Sequence, residues 1–409
     1  MVRRGVSLLE VMFAIGVIAV GLLGVIAVLP LALSQVGRGN VADLSKRVGE
    51  NAVAEFDMRG MRDPNNWRYA AGGTVGHPSG KNFSFCIDPR FVAANGSLRA
   101  TPYDARFFPY FRRPPTSVVP PPPALPRMVR VSLARIPGAL GMMTAMQADQ
   151  IFVTDDELSF ELPDDKTLPP VQVFGGKRKS AGTLSWMATV TPKFDPNEGF
   201  KDAYTLSIVI FNRRDVSGVG RNQTMFVDVN ADGVVDSGDV PTYNERLAWI
   251  VAPSSRVGNP DAANQFHGDG YGGGDITLEA ATPEELDLRS GDWIMLMQNL
   301  HVHSTREGTP YTPLFRWYRV AETDKPYWDG TQYLEGRPID RTIAGNSSRP
   351  GNYERDVTLI GSDWPVEFSN GNPVSADRIG AIPVTYATLV TGVVAVYEKT
   401  IRLETSSLW

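Results

Sequence analysis

Hydrophobic and polar positions follow two different rhythms along this chain. From Val11 to Leu33 the apolar run is unbroken, about 23 residues without a charged or strongly polar side chain. As helix that is ~35 Å, against a bilayer core of ~30 Å. A basic leader, Met1-Val2-Arg3-Arg4-Gly5, leads into the run, and one acid, Glu10, stands near its start. The run reads as a transmembrane helix, where a lone carboxylate is costly and needs a partner. Pro30 removes a helical hydrogen bond and predicts a kink. Gly16, Gly21 and Gly24 are either close-approach positions or ordinary membrane-helix glycines. Beyond the run Val41, Leu44, Val48, Ala52 and Phe56 recur at helical spacing, with Asp43, Lys46, Arg47, Glu50 and Glu55 between them. This predicts an amphipathic continuation, with Gly37 and Gly39 at a weakened junction and an end near Gly60 to Pro64, where Arg62-Asp63-Pro64 is the stop.

After Met61 the rhythm shortens toward two. Met128–Ile136, Leu158–Leu162, Leu184–Val190 and Tyr204–Phe211 alternate, and Ile151–Val153 is short and apolar. Leu184–Val190 and Tyr204–Phe211 predict an antiparallel pair with a wide connection, Thr191–Ala203. Further strands are expected at Trp293–Met297, Leu314–Val320 and Asp356–Ile360, and two within Val384–Leu403 around Thr391-Gly392. Helical pattern returns only at Pro283–Leu288 and Thr242–Val251. Asp63 to Pro126 is irregular, and its Arg112–Pro126 run, RRPPTSVVPPPPALP, predicts a polyproline II surface loop. The expected class is α+β: a long N-terminal spine helix, membrane half plus amphipathic half, packed on a loop-rich antiparallel β body. The expected divisions are a leader at 1–5, a transmembrane and assembly helix at 6–33, and an amphipathic continuation at 34–62. An irregular Pro-rich region at 63–127 and a β-rich body at 128–409 complete the chain.

Composition narrows this picture. A net charge of −5 gives no general reason for a nucleic-acid partner. The single cysteine, Cys86, rules out an intrachain disulfide, and its setting, FSFCIDP, is that of a small core residue. With 39 glycines and 31 prolines in 409 residues, the part beyond the helix reads as loop-rich and β-heavy rather than a bundle.

Two export readings compete at the N-terminus. Ala32-Leu33-Ser34 before Gln35 has the form of a signal-peptidase site, but the apolar run is too long for an ordinary signal and opens with an acid. The run Gly5-Val6-Ser7-Leu8-Leu9-Glu10-Val11 resembles the processing site of type IV pilins and type II secretion pseudopilins. The wider SLLEVMFAIGVIAVGLLGV wording is most similar to minor pilins of the PilV type. The resemblance implies that a prepilin peptidase cuts between Gly5 and Val6 and N-methylates Val6. It implies Glu10 as the assembly residue, other pilin or pseudopilin subunits as partners, and an inner-membrane single-pass protein whose extracytoplasmic body joins a filament. After the cleavage that the resemblance implies, the Val6 amine and Glu10 lie about one helical turn apart and neutralise each other within or between subunits.

One stretch has metal-ligand spacing. Asp228-Val229-Asn230-Ala231-Asp232-Gly233-Val234-Val235-Asp236-Ser237-Gly238-Asp239 places Asp228, Asn230 and Asp232 at the first, third and fifth positions of a 12-residue calcium loop. The Val234 carbonyl, Asp236 and Asp239 follow at the seventh, ninth and twelfth. The loop, 228–239, resembles those of dockerin modules, which also end in Asp, though it stands single and Pro241 interrupts the helix expected after it. Calcium is the expected cofactor, in a structural role, and the pseudopilin resemblance implies the same. Phe266–Asp275 reads as a glycine-rich turn, and His301-Val302-His303 lacks the spacing of further ligands. No nucleophile–base pattern stands out, so no enzyme is expected. The leading reading is a structural minor pilin or pseudopilin. The alternative is a membrane-anchored extracytoplasmic ligand-binding β protein.

Overall fold

A computed structural model describes residues 8–76, 83–95, 106–109, 126–136, 141–154, 183–195, 199–214, 216, 226–227, 240–241, 245–251, 273–280, 283, 285–301, 311–328, 340–341, 347–348, 353–362 and 385–404. The first element, α1, runs Leu8–Met58. The chain divides into two compact units, Met1–Arg47 and Val48–Trp409, so α1 changes unit along its length.

In the second unit α1 buries Val48, Ala52 and Phe56, a stripe at steps of four on one helix face. Gly49 lies against Tyr397, and a Cβ there would stand 2.2 Å from the ring. The helix ends at Met58, just ahead of the expected Gly60 to Pro64. Gly60 adopts φ 61°, the Met61 N–H bonds to the Phe56 carbonyl and the Gly60 N–H to that of Asp57. That is a Schellman stop, with glycine taking the left-handed position and Met61 buried beneath it. Asp57 then accepts from Arg62 at 2.7 Å and Lys399 at 3.2 Å. Burial opposes its ionisation, but these two cations hold its carboxyl below the usual carboxylate range.

The next elements are β1 (Trp67–Tyr69), β2 (Phe85–Ile87), α2 (Pro89–Asn95), β3 (Phe107–Phe108), β4 (Met128–Leu133), α3 (Ala145–Phe152), β5 (Leu184–Asp195) and β6 (Gly199–Asn212). A short pair, β7 (Phe226–Val227) and β8 (Val240–Pro241), stands apart. Then come β9 (Glu245–Val251), β10 (Gly273–Ala280), β11 (Trp293–His301), β12 (Tyr311–Thr323) and β13 (Tyr327–Trp328). β14 (Asp340–Arg341) and β15 (Ser347–Ser348) pair only with each other. Last are β16 (Tyr353–Ile360), β17 (Tyr386–Val390) and β18 (Val393–Ile401).

Two seven-stranded sheets organise these strands. The first is ordered β1-β4-β2-β5-β6-β18, with β3 also on β4. The second is ordered β10-β9-β17-β11-β12-β16-β13, and β10 also pairs with β16 over Gly273–Ala280. That extra pairing closes the second sheet on itself, so β10, β9, β17, β11, β12 and β16 form an antiparallel barrel. Closure removes the exposed strand edges that an open sheet would present.

Alternation sets the two cores. Ile294 and Leu296 of β11, Leu314 and Tyr318 of β12, and Leu278, Ala248, Val357 and Leu389 fill one cluster, the barrel interior. Met295, Met297, Phe315 and Trp317, one residue out of phase on the same strands, join Cys86, Met128, Met187, Val209 and Phe211 of the first sheet. Period-two strands thus serve both faces, one to the barrel and one to the neighbouring sheet. Leu286 and Leu288 belong to the barrel cluster. The carbonyl of Leu286 accepts from Arg355, and those of Glu285 and Asp287 accept from Arg246.

The expected class needs correcting. Among the described residues strand dominates, 46% against 28% helix. α1 does not act as a spine for a β body: only its residues from Val48 onward belong to the second unit, and the other helices are short. Nor is the body wholly antiparallel, since β2 and β4 pair in parallel. Sequence bias toward helix misled at Thr242–Val251, where Ala248 and Ile250 alternate inward as β9 and the strong helix formers Glu245, Arg246 and Leu247 are overridden by sheet pairing. Pro283–Leu288 is a turn held by the Leu286 N–H on the Pro283 carbonyl, and Ile151 and Phe152 end α3 rather than opening a strand. The wide connection at Thr191–Ala203 is largely strand, because β5 and β6 extend through it to Asp195 and from Gly199. Val384–Leu403 does hold two strands, but they part company at Thr391-Gly392: β17 enters the barrel and β18 the first sheet. Leu158–Leu162 and residues 112–125 of the proline-rich run lie outside the described residues.

The membrane placement is corrected as well. Among the described residues no helix is long and apolar enough to cross a membrane. The transmembrane half, the single-pass assignment and the inner-membrane location are therefore withdrawn.

Candidate functional site

Gly5 and Val6 lie outside the described residues, and Glu10 falls in the first turn of α1. Around it the helix exposes apolar side chains on every face. Leu8 is 80% exposed, Phe13 74% and Leu23 74%, with Leu9, Met12, Ile15, Val17, Ile18 and Leu22 also largely open. A helix that is hydrophobic all round belongs in an apolar environment, so this surface calls for a cover.

Asp228, Asn230, Asp232, Val234, Asp236 and Asp239 all lie outside the described residues. The segments flanking them are described. Phe226 pairs with Pro241 and Val227 with Val240, so β7 and β8 bring the two ends of 228–239 together as an antiparallel ladder. Among the described residues no cluster of His, Cys, Asp and Glu is placed to hold a metal. Asp275, at the end of the glycine-rich stretch, accepts from the Thr358 hydroxyl at 2.7 Å, its cross-strand partner on β16. His301 ends β11 opposite Tyr311, and His303 lies outside the described residues. Cys86 is fully buried and free, and burial pushes its thiol pKa far up, which suits the core role.

Two polar arrangements were not anticipated. The first is a buried ion network. Arg130 on β4 is 0% exposed and donates through Nη1 to Asp88 at 3.1 Å and through Nη2 to both oxygens of Glu245 at 2.8 and 2.9 Å. Arg214 grips the same Asp88 carboxylate at 2.9 and 2.6 Å. The Phe91 N–H also donates to Asp88, and the Arg130 guanidinium lies 3.6 Å from the Phe91 ring centroid. Two cations and two carboxylates balance. Burial would raise the Asp88 pKa, but Arg214 and Arg130 together hold it below its usual range. Glu245 opens β9, so the network ties the first sheet to the barrel at a point where neither sheet's backbone pairs with the other. The available signal was Arg130 in the buried phase of MVRVSL, sharing its strand face with Met128.

The second is an open cleft of about 250 Å³ between β5, β6 and β18 of the first sheet and β12 of the barrel. Lys193, Arg316, Lys399 and Glu398 bring four charges to it, and Leu314 and Phe315 supply apolar surface. The Tyr318 hydroxyl donates to the Ser362 carbonyl at 2.6 Å, and burial pushes its pKa up to about 12. Glu398 accepts from Ser207 at 3.3 Å. Its pKa is raised mainly by desolvation, with Ser207 and Arg316 opposing the shift.

No family model, no curated protein and no solved structure matches the chain.

Proposed function

We propose that this chain is a structural subunit of a pilin-like or pseudopilin-like filament, processed between Gly5 and Val6. The observation that carries the reading is the run Gly5-Val6-Ser7-Leu8-Leu9-Glu10 leading straight into α1, whose opening turns are apolar on every face and exposed. The cover such a surface needs is supplied by the same helix of other subunits. Within a bundle of these helices water is excluded, so an unpaired carboxylate at Glu10 is costly and the Val6 amine of a neighbour satisfies it. A charge pair at one height sets the axial register between subunits, as buried polar residues do in coiled coils. The partners are other subunits of this kind and a prepilin peptidase.

Mass analysis of the mature N-terminus tests the processing step: the reading expects methylated Val6, and a chain that begins elsewhere overturns it. Glu10→Ala tests the pairing. The variant is expected to fold with an unchanged melting temperature, while its incorporation into filaments falls by about tenfold or more, ~1.4 kcal/mol of lost association. Normal incorporation removes the role given to Glu10.

We further propose that 228–239 binds calcium in a structural role. Support comes from the donor set, carboxylates at the first, fifth, ninth and twelfth positions with Asn230 and the Val234 carbonyl between them, and from the β7–β8 ladder that holds the ends of the segment together. Bound calcium would neutralise like charges crowded on one short loop. Chelator is expected to lower the melting temperature of the full chain, and Asp228→Ala to abolish that sensitivity. A melting temperature indifferent to both chelator and added calcium rules the site out.

A further inference from the structure

We draw no further inference here: the strongest candidate, the row of carboxylates and hydroxyls that Asp275, Thr277, Asp356 and Thr358 form across β10 and β16 of the barrel, is an acidic cluster held by its own Thr–Asp hydrogen bonds, and nothing else among the described residues points to a ligand there.

Discussion

Arg130→Met is expected to destabilise the protein by about 3–5 kcal/mol, the usual cost of removing one partner from a buried ion pair. The loss exceeds that of any exposed charge because of what remains. Asp88 keeps Arg214, but Glu245, 6% exposed, loses both of the bonds that Arg130 makes to it. A buried carboxylate deprived of those two bonds is poorly compensated, which loosens the seam between the first sheet and the barrel. Denaturant unfolding of the full chain measures the cost. The double variant Arg130→Met with Glu245→Leu separates charge from volume: it should recover much of the loss, because an apolar pair strands no charge. A double variant as unstable as the single one shows that shape, not charge, dominates. The pH dependence has a definite sign. Asp88 has its pKa held down in the folded protein, so its contribution is present above the unfolded carboxylate value near ~3.9 and is lost as pH falls through the lower folded value. Glu398 works the other way: its raised pKa means that stability present at low pH declines as pH rises through the folded value.

Strand positions with strict alternation were the most legible part of the chain. Leu184–Val190, Tyr204–Phe211, Trp293–Met297, Leu314–Val320 and Asp356–Ile360 all lie within strands, because burial on one or both faces writes a local two-residue period. Sheet membership was not legible. Val390 and Val393 are three residues apart and enter different sheets, a choice made by long-range pairing with β9 and β6 that no local pattern carries. Barrel closure rests on β10 meeting β16, whose residues are some 80 positions apart, for instance Asp275 with Thr358. The short strands β1, β2 and β3 were hidden inside a glycine- and proline-rich region, since two or three residues are too few to show a period. The cleft escaped for the same reason as the ion network. Lys193, Arg316 and Glu398 are ordinary surface charges until two sheets bring them together. The expected processing motif and calcium spacing each rest on one short stretch, and both fall at or beyond the edges of the described residues.

Phe56→Ala is the second large effect, expected to cost about 3–5 kcal/mol. Phe56 is 0% exposed and closes the stripe begun by Val48 and Ala52, so its ring leaves a cavity that a helix fixed at both ends of the stripe cannot collapse into. One end is held by Gly49 pressed flat on Tyr397 of β18. The other is held by Asp57 on Lys399, by the Schellman stop at Gly60 and by the Glu404 N–H on the Arg62 carbonyl. Met58 supplies the control. It sits two residues on in the same helix but is 74% exposed, and Met58→Ala is expected to change stability by no more than ~0.5 kcal/mol. Unfolding of both full-chain variants in urea, with the slope checked for constancy, gives the comparison directly. Equal costs for the two would mean that the C-terminal turns of α1 are not packed by the face assigned to them. A large cost for Phe56 alone would establish that these last turns are part of the β unit's core, with the hydrophobic stripe rather than helix propensity holding them there.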